Sequence, residues 1–294
     1  MLVEQLINGI TLGSIYAIVA LGYTLVFGVL GILNMAHGEI FMFGAFTGVV
    51  LVSELHAPLW LAFIAAVLIT SLLGYFMERF ALRPLRRMQG VSHLAPLIST
   101  IGVSIFLENL AHFLFGAGNH PFQTSISNVK IQLGNVSIDM VQIIIFLISV
   151  VLMLLLSVWL SKTKAGKALR ATAENIETAA LLGVNTKKMI TFTVIIASAM
   201  GGIAGILVGM AFNSVNPQMG LAIGLKGLAI IILGGMGNIK GAMVGGLILG
   251  LSETLIVAYG ESGYRDAIAF IIIILILLVK PQGLFGSKVS DARR

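Results

Sequence analysis

The chain has 294 residues, of which 58% are hydrophobic and only 10% are charged, and its mean hydropathy is +1.04. Soluble domains are about 45–50% apolar and about 25% charged, so this composition excludes an ordinary water-soluble enzyme. The absence of cysteine excludes a disulfide framework, a thiolate nucleophile and a Cys-ligated metal centre. The net charge of +6 comes from basic residues in short loops between apolar runs, which favours a membrane protein over a nucleic-acid-binding one. We therefore expect an all-α polytopic membrane protein.

Apolar runs that could form membrane spans follow one another along the chain. A helix needs about 20 predominantly apolar residues to cross a bilayer. The run at 221–236 is short and interrupted by glycine, so it is either a full span or a re-entrant half-helix, and we expect eight or nine transmembrane helices. The nine runs are 8–33, 38–54, 58–78, 94–115, 140–160, 189–212, 221–236, 241–259 and 265–280.

The basic residues predict the orientation of these spans. They cluster at 79–87, 162–188 and 280–294, whereas the loops 116–139 and 213–220 contain a single Lys or Arg, Lys130. Because loops rich in Lys and Arg stay in the cytoplasm, the three clusters are expected there. Nine crossings then place the N-terminus outside and the C-terminus in the cytoplasm, and eight would require one early or late run to be re-entrant.

One of the outer loops has a β pattern. Apolar and polar residues alternate over 129–139 on both sides of Gly134-Asn135. A two-residue Gly-Asn loop between alternating runs predicts a β-hairpin with a type II′ turn. The hairpin is either a docking surface for a soluble partner or a plain surface loop.

Glycine is abundant, with 34 residues, and is densest between Gly234 and Gly250. Small residues at three- and four-residue spacing let helices approach closely in lipid, which is one interpretation. The other is that the stretch from Gly234 to Gly241 breaks a helix beside a translocation path.

The cytoplasmic segment 161–188 is polar and has the apolar spacing of one amphipathic helix. Its basic residues lie mostly at the ends, and Glu174 and Glu177 in the middle would be repelled by anionic lipid. We therefore expect its apolar face to insert into a groove of a partner protein rather than to lie on lipid headgroups.

Residues 177–183 of this segment, Glu-Thr-Ala-Ala-Leu-Leu-Gly, resemble the E-A-A-x-x-x-G coupling-loop signature of importer-type ABC permeases. Thr178 replaces the first Ala, and the downstream Ile-x-Leu-Pro is absent. Five further stretches resemble the high-affinity branched-chain amino acid permease family, in that family's order, and are similar to the shorter of its two paired permeases. They are Gly166–Asn175, Asn34–Glu39 with Gly44-Ala45, Ser99–Ser104 with Glu108-Asn109, Leu233–Asn238 and Lys280–Gly286.

The resemblance implies one permease domain over 1–294, with 161–188 as its coupling segment. It implies the import of leucine, isoleucine and valine across a bacterial inner membrane. The chain has no G-x-x-x-x-G-K-[ST] phosphate loop, so ATP would be bound by separate subunits and no cofactor by this chain. The implied partners are two ATP-binding cassette subunits, a second and related permease, an extracytoplasmic substrate-binding protein and membrane lipid. The residues implied to contact the ATPase are Arg170, Glu174, Glu177, Ala179, Ala180 and Gly183.

Ionisable residues at membrane depth are costly, so each one is a candidate for function. His37 and Glu39, at the start of the second run, are either interfacial or part of the pathway. Together with Asn34, Gly234 and Gly237, we expect them to lie near the translocation path.

Other ionisable residues have plainer interpretations. Glu108 and His112 lie one helical turn apart and are expected to hydrogen-bond each other. Lys226 and Glu253 either snorkel or pair with each other, and Glu78 is expected at the cytoplasmic rim. The sequence contains neither H-E-x-x-H nor G-x-S-x-G, so we expect no catalytic residue and no metal site.

The alternative function is an ion-coupled secondary transporter of small amino acids or amides. Such a carrier commonly keeps buried carboxylates for the coupling ion, and Glu108 and Glu253 are the candidates. It has little use, however, for a cytoplasmic coupling segment at 161–188.

Overall fold

The computed structural model describes residues 2–87, 94–124, 126, 129–133, 136–260 and 265–286. The short strands in these ranges are β1 His120–Pro121, β2 Lys130–Leu133, β3 Val136–Asp139 and β4 Ser214–Val215. The α-helices in these ranges are α1 Leu2–Leu30, α2 His37–Gly48, α3 Leu59–Met77, α4 Ala95–Phe115, α5 Met140–Lys162, α6 Lys164–Glu174, α7 Ile176–Leu181, α8 Thr186–Phe212, α9 Met219–Gly234, α10 Ile239–Tyr259 and α11 Arg265–Val279.

Each of the nine apolar runs contains a helix, and α6 and α7 lie between the fifth and sixth runs. Within the described ranges, six helices are long and apolar enough to cross a membrane: α1, α3 with its π-helical extension to Leu82, α4, α5, α8 and α10. The apolar helix α9 is shorter, with 16 residues. α2 has 12 residues and is continued by a π-helical stretch, Val49–Glu54. The molecule is an all-α polytopic membrane protein.

Helix α1 lies at the centre of the molecule and packs against α5, α8, α9 and α10. In its most apolar stretch, 89% of the residues are buried, compared with 17% for α4. A helix that is apolar on every side is expected in the interior of a bundle. The exposed side chains of α4, such as Phe106 and Phe113, instead form an outer face suited to lipid or to another chain.

Glycine allows the central helices to approach backbone to backbone. A Cβ atom at Gly205 of α8 would lie 2.2 Å from the carbonyl oxygen of Phe41 in α2. One at Gly250 of α10 would lie 2.2 Å from the backbone nitrogen of Gly13 in α1. Neither distance leaves room for a side chain, so at these positions glycine serves close packing.

The β-hairpin predicted over 129–139 is present. β2 and β3 pair antiparallel, with Lys130 opposite Asp139, as the alternating pattern predicts. β1 and β4 also pair, and they join the loop after α4 to the loop after α8. The predicted turn residues Gly134-Asn135 lie outside the described residues. So do three residues of the basic cluster 280–294, namely Lys288, Arg293 and Arg294.

The prediction of one continuous helix in the segment 161–188 is wrong, because the chain forms two helices, α6 and α7. They are separated at Asn175, whose backbone is extended (φ −156°, ψ 114°). The Asn175 side-chain oxygen accepts a hydrogen bond of 2.8 Å from the backbone nitrogen of Thr178. Asn is favoured at such N-cap positions because its side chain satisfies a free N–H of the first turn, so the chain starts a new helix here.

Candidate coupling and translocation sites

Helix α7 presents an apolar surface to its surroundings. Leu181 and Leu182, at its C-terminal end, are 88% and 78% exposed. Glu177 and Ala180 are also exposed, whereas Ala179 is buried. Two adjacent exposed leucines on a polar segment form a contact surface of the kind that another protein covers.

Gly183 ends α7 with a left-handed backbone, φ +86°. Its N–H donates to the carbonyl of Ala180, and the N–H of Val184 donates to that of Ala179, both at 3.0 Å. Glycine is favoured in this C-capping position because it adopts positive φ without strain. An added Cβ would meet nothing within 4 Å, so the requirement for glycine within the chain is conformational.

Helix α6 connects α7 to the membrane helices. Arg170 and Glu174 are exposed, while Leu169 and Thr172 on the opposite side are buried. A cavity lies between this segment and the end of α1 and is lined by Gly28–Gly31 together with Thr172–Glu177. The coupling segment therefore lies directly beside the place where α1 ends.

Three buried polar residues lie on the connection from α1 to α2 and in the first turn of α2: Asn34 is 2% exposed, and His37 and Glu39 are fully buried. The Asn34 side-chain oxygen accepts a hydrogen bond from the backbone nitrogen of Ala36 at 3.2 Å. The ring of His37 meets the ring of Tyr23 edge to face, with their centroids 4.6 Å apart. Among the described residues, neither ring nitrogen of His37 has a hydrogen-bond partner. The predicted pathway residues on this connection thus lie together in the protein interior.

Glu39 is connected to a cavity by Ser104 and Gly220. The Ser104 hydroxyl donates to Glu39 Oε1 at 3.2 Å. A Cβ at Gly220 would lie 2.3 Å from Glu39 Oε2, so the glycine lets this carboxylate pack closely against α9. Ser104 and Gly220 also line a cavity of about 270 Å³, and Glu108 lines it as well. Gly220 is not predictable from the sequence, because its role depends on contact with a distant helix.

The predicted hydrogen bond between Glu108 and His112 is absent from the described part of α4. Glu108 is instead half-buried at the wall of the cavity. The alternative of pairing is confirmed for Lys226 and Glu253, since Lys226 Nζ lies 2.8 Å from Glu253 Oε1. The Tyr16 hydroxyl donates to Glu253 Oε2 at 2.9 Å and accepts from Lys226 Nζ at 3.2 Å. These three residues join α1, α9 and α10.

Glu78, which is predicted at the cytoplasmic rim, is buried within the protein and only 1% exposed. It forms an ion pair with Arg86, and its Oε2 accepts a hydrogen bond from the Thr191 hydroxyl at 3.1 Å. The π-helical turn Glu78–Leu82 directs this part of the chain against α8. Glu78 therefore ties the end of α3 to the start of α8.

A family model described as "Branched-chain amino acid transport system / permease component" matches residues 5–277 of the chain. The chain belongs to this family. LivH of Salmonella typhimurium, a high-affinity branched-chain amino acid transport system permease protein, is 39% identical over 96% of this chain and 95% of its own length. BraD of Pseudomonas aeruginosa, described in the same words, is 38% identical over the same fractions. The ribose import permease protein RbsC of Haemophilus influenzae is 23% identical over 97% of this chain and 87% of its own.

Gly234 and Gly237 are also predicted near the translocation path, but the residues around them are not those around His37 and Glu39. A Cβ at Gly234 would lie 2.3 Å from the carbonyl of Gly241, in the next helix. Gly237 has φ +82° in the turn between α9 and α10. That turn is bound to the C-terminal segment, because the N–H of Phe285 donates to the carbonyl of Gly234 at 3.0 Å. Close packing and turn geometry account for glycine at both positions.

Proposed function

We propose that this chain is the permease subunit of a binding-protein-dependent ABC importer for leucine, isoleucine and valine. Separate ATPase subunits would drive it. Membership of the permease family supports the proposal, as do relatives named for high-affinity branched-chain amino acid transport. The observation that carries the ATPase dependence is the exposed apolar end of α7, Leu181 and Leu182, on a segment that resembles the ABC coupling signature.

The rest of the importer follows from this assignment. Two ATP-binding cassette subunits would contact Arg170, Glu174 and the residues Glu177–Gly183 from the cytoplasm. A second, related permease would complete the membrane part. The substrate-binding protein would dock outside, at the β2–β3 hairpin and the loop 213–218. This arrangement requires the N-terminus outside and the C-terminus inside, with α9 and α2 contributing to eight or nine crossings.

The cavity between α6–α7 and the end of α1 supports a short route for coupling. A shift of α7 on closure of the ATPase subunits would push on the end of α1, and the chain then continues to Asn34, His37 and Glu39. These buried polar residues would lie beside the substrate path. Their unpaired polar atoms are costly in a closed interior, which favours a place that opens during transport.

The first experiment is affinity purification of the tagged chain in mild detergent, with identification of every co-purifying subunit. The complex is then reconstituted in liposomes with the substrate-binding protein, and ATP-dependent uptake of leucine is measured. Co-purification of an ATPase subunit and a second permease is expected. Recovery of the chain alone, active without ATP, would establish the secondary transporter instead. Glu253 does not support the secondary transporter as a site for a coupling ion, because its carboxylate is already paired with Lys226.

Variants of α7 then test the coupling surface. Leu181→Asp places a charge on the exposed apolar surface and is expected to reduce uptake of leucine and recovery of the ATPase at least tenfold. Ala171→Asp is the matched control, because Ala171 is exposed on α6, and it should leave both unchanged. Gly183→Trp should also abolish ATP-driven uptake, since positive φ is unfavourable for Trp. Normal uptake by both Leu181→Asp and Gly183→Trp would show that the coupling surface lies elsewhere.

A further inference from the structure

We propose that the cavity between α1, α4 and α9 is a binding site in this chain for an aliphatic amino acid in transit, with Glu108 and Glu39 recognising its α-ammonium group. This inference rests on the proposed function and adds to it a location and a chemical basis for selectivity.

The acidic wall of the cavity comes from two helices. Glu108 of α4 lines the cavity directly, and no hydrogen bond or ion pair to its carboxylate is present among the described residues. Glu39 of α2 lies behind Ser104, which donates to its Oε1. Ser104 and Glu108 lie one helical turn apart on α4, so the carboxylate that Ser104 contacts lies on the same side of this helix as Glu108. A cation between them would be attracted by both and would relieve their mutual repulsion.

The second carboxylate oxygen of Glu39, Oε2, is an unsatisfied hydrogen-bond acceptor in the protein interior. Glu39 is fully buried, and its Oε2 has no hydrogen-bond partner among the described residues. A buried acceptor without a donor is costly by about 1–3 kcal/mol, and more when it is charged. Gly220, which lines the cavity, packs against this oxygen, since a Cβ built on Gly220 would lie 2.3 Å from Oε2. An ammonium group has three N–H donors and carries the complementary charge.

The remaining walls suit a branched aliphatic side chain and not a sugar or a second charge. They are formed by Met35, Ile101, Ile105, Leu221, Leu225 and Leu228, with Tyr23 at one side. Apolar walls with a few convergent polar groups are the usual composition of a small-molecule site. The cavity volume of about 270 Å³ falls slightly below the usual range for ligand pockets, which suits a single amino acid.

The carboxylate of the amino acid would bind at the N-terminal end of α9. Gly220 and Leu221, which line the cavity, belong to the first turn of α9. The N-terminus of a helix carries a partial positive charge and free backbone N–H groups, which attract a carboxylate. The site therefore offers an anionic wall, the positive end of a helix and an apolar wall, which together match a zwitterion with an aliphatic side chain.

Because the chain has no cysteine, single cysteines can report on the charge of this cavity. Ile105→Cys places a thiol on the cavity wall, and Phe106→Cys, on the next residue, places one outside it. The assembled complex is treated with a cationic trimethylammonium methanethiosulfonate and with an anionic sulfonate methanethiosulfonate. Labelling of this chain is followed by mass spectrometry. The ratio of the two rates is normalised to that of free cysteine.

We expect the Ile105→Cys protein to prefer the cationic reagent, and the additional substitution Glu108→Gln to lower that preference about tenfold, or about 1.4 kcal/mol. Leucine and 3-methylbutylammonium should slow the labelling, while 4-methylpentanoate, which lacks the ammonium group, should not. Phe106→Cys should show neither effect. No reaction with either reagent, or a ratio that Glu108→Gln leaves unchanged, would overturn the site.

Uptake measurements separate this inference from the proposed function. Glu108→Gln should raise the KM or lower the rate of leucine uptake at least tenfold, with the ATPase still co-purifying, and Glu108→Asp should restore part of the activity. Wild-type uptake by Glu108→Gln would overturn the site and leave the importer assignment intact. Failure of the unaltered complex to transport leucine would instead overturn the proposed function.

Discussion

The ion pair between Lys226 and Glu253 should make the two residues interdependent for stability. Glu253 is fully buried, and its carboxylate contacts Lys226 and Tyr16 at 2.8 and 2.9 Å. Lys226→Met would leave the carboxylate without this counter-charge inside the protein. Removing one partner of a buried pair destabilises by about 3–5 kcal/mol, and a lone charge at the bilayer centre costs about 2.5–3.5 kcal/mol on insertion scales. We therefore expect a loss of about 3 kcal/mol for Lys226→Met.

Replacing both residues should remove most of this loss. In the double variant Lys226→Met with Glu253→Met, neither charge of the pair is left buried, so stability should return to within about 1 kcal/mol of the parent. Tyr16→Phe keeps the ring and removes the shared hydroxyl, and it should cost about 2 kcal/mol, because its hydrogen bonds are to charged groups.

The free energy of unfolding is measured by titrating the purified protein in mixed micelles with SDS, followed by tryptophan fluorescence. A double-mutant cycle then compares the single variants Lys226→Met and Glu253→Met with the double variant. Single losses that simply add in the double variant would contradict this prediction, since the pair would then contribute nothing as a unit.

Two further predictions concern packing. Gly38→Ala would put a Cβ 2.3 Å from the carbonyl oxygen of Gly220, so we expect a loss of about 3 kcal/mol or more of stability. Gly102→Ala on α4 is the control, because an added Cβ would meet nothing within 4 Å, and it should be neutral or stabilising by up to about 1 kcal/mol. Equal thermal midpoints for Gly38→Ala and Gly102→Ala in detergent would contradict this prediction. Phe122 is fully buried and contacts Gly48, so Phe122→Ala should cost about 3–5 kcal/mol and expose the loop between α4 and α5 to protease. Unchanged proteolysis of that loop would show that Phe122 does not anchor it.

The membrane helices are largely predictable from the sequence, because long apolar runs leave few alternatives to a helix in lipid. The run predicted at 140–160 is α5, Met140–Lys162, and the run predicted at 94–115 is α4, Ala95–Phe115. The predicted start of α1 lies six residues too late, since Leu2 to Ile7 contain Glu4 and Gln5 and look like a loop. Boundaries fail where polar residues are tolerated at a helix end.

The polar clusters are much less predictable. Pairing of Lys226 with Glu253 is one of two alternatives in the sequence, and only the packing of α9 on α10 decides between them. Tyr16 is more than 200 positions from both partners, so no local pattern includes it in the cluster. The split of the coupling segment is visible in principle, because Asn175 is a good N-cap residue, but the apolar spacing continues across it.

The connection between α1 and α2 also limits how the molecule can move. Leu30 ends α1 beside the coupling segment, and His37 begins α2 in the interior, so residues 31–36 form the whole link between them. A chain of this length spans at most about 20 Å when fully stretched, which is the upper limit on the separation of the two helix ends. It therefore sets the largest separation of the two helix ends: a displacement of the end of α1 beyond this limit must carry the buried histidine with it along the main chain, without a relay of side chains.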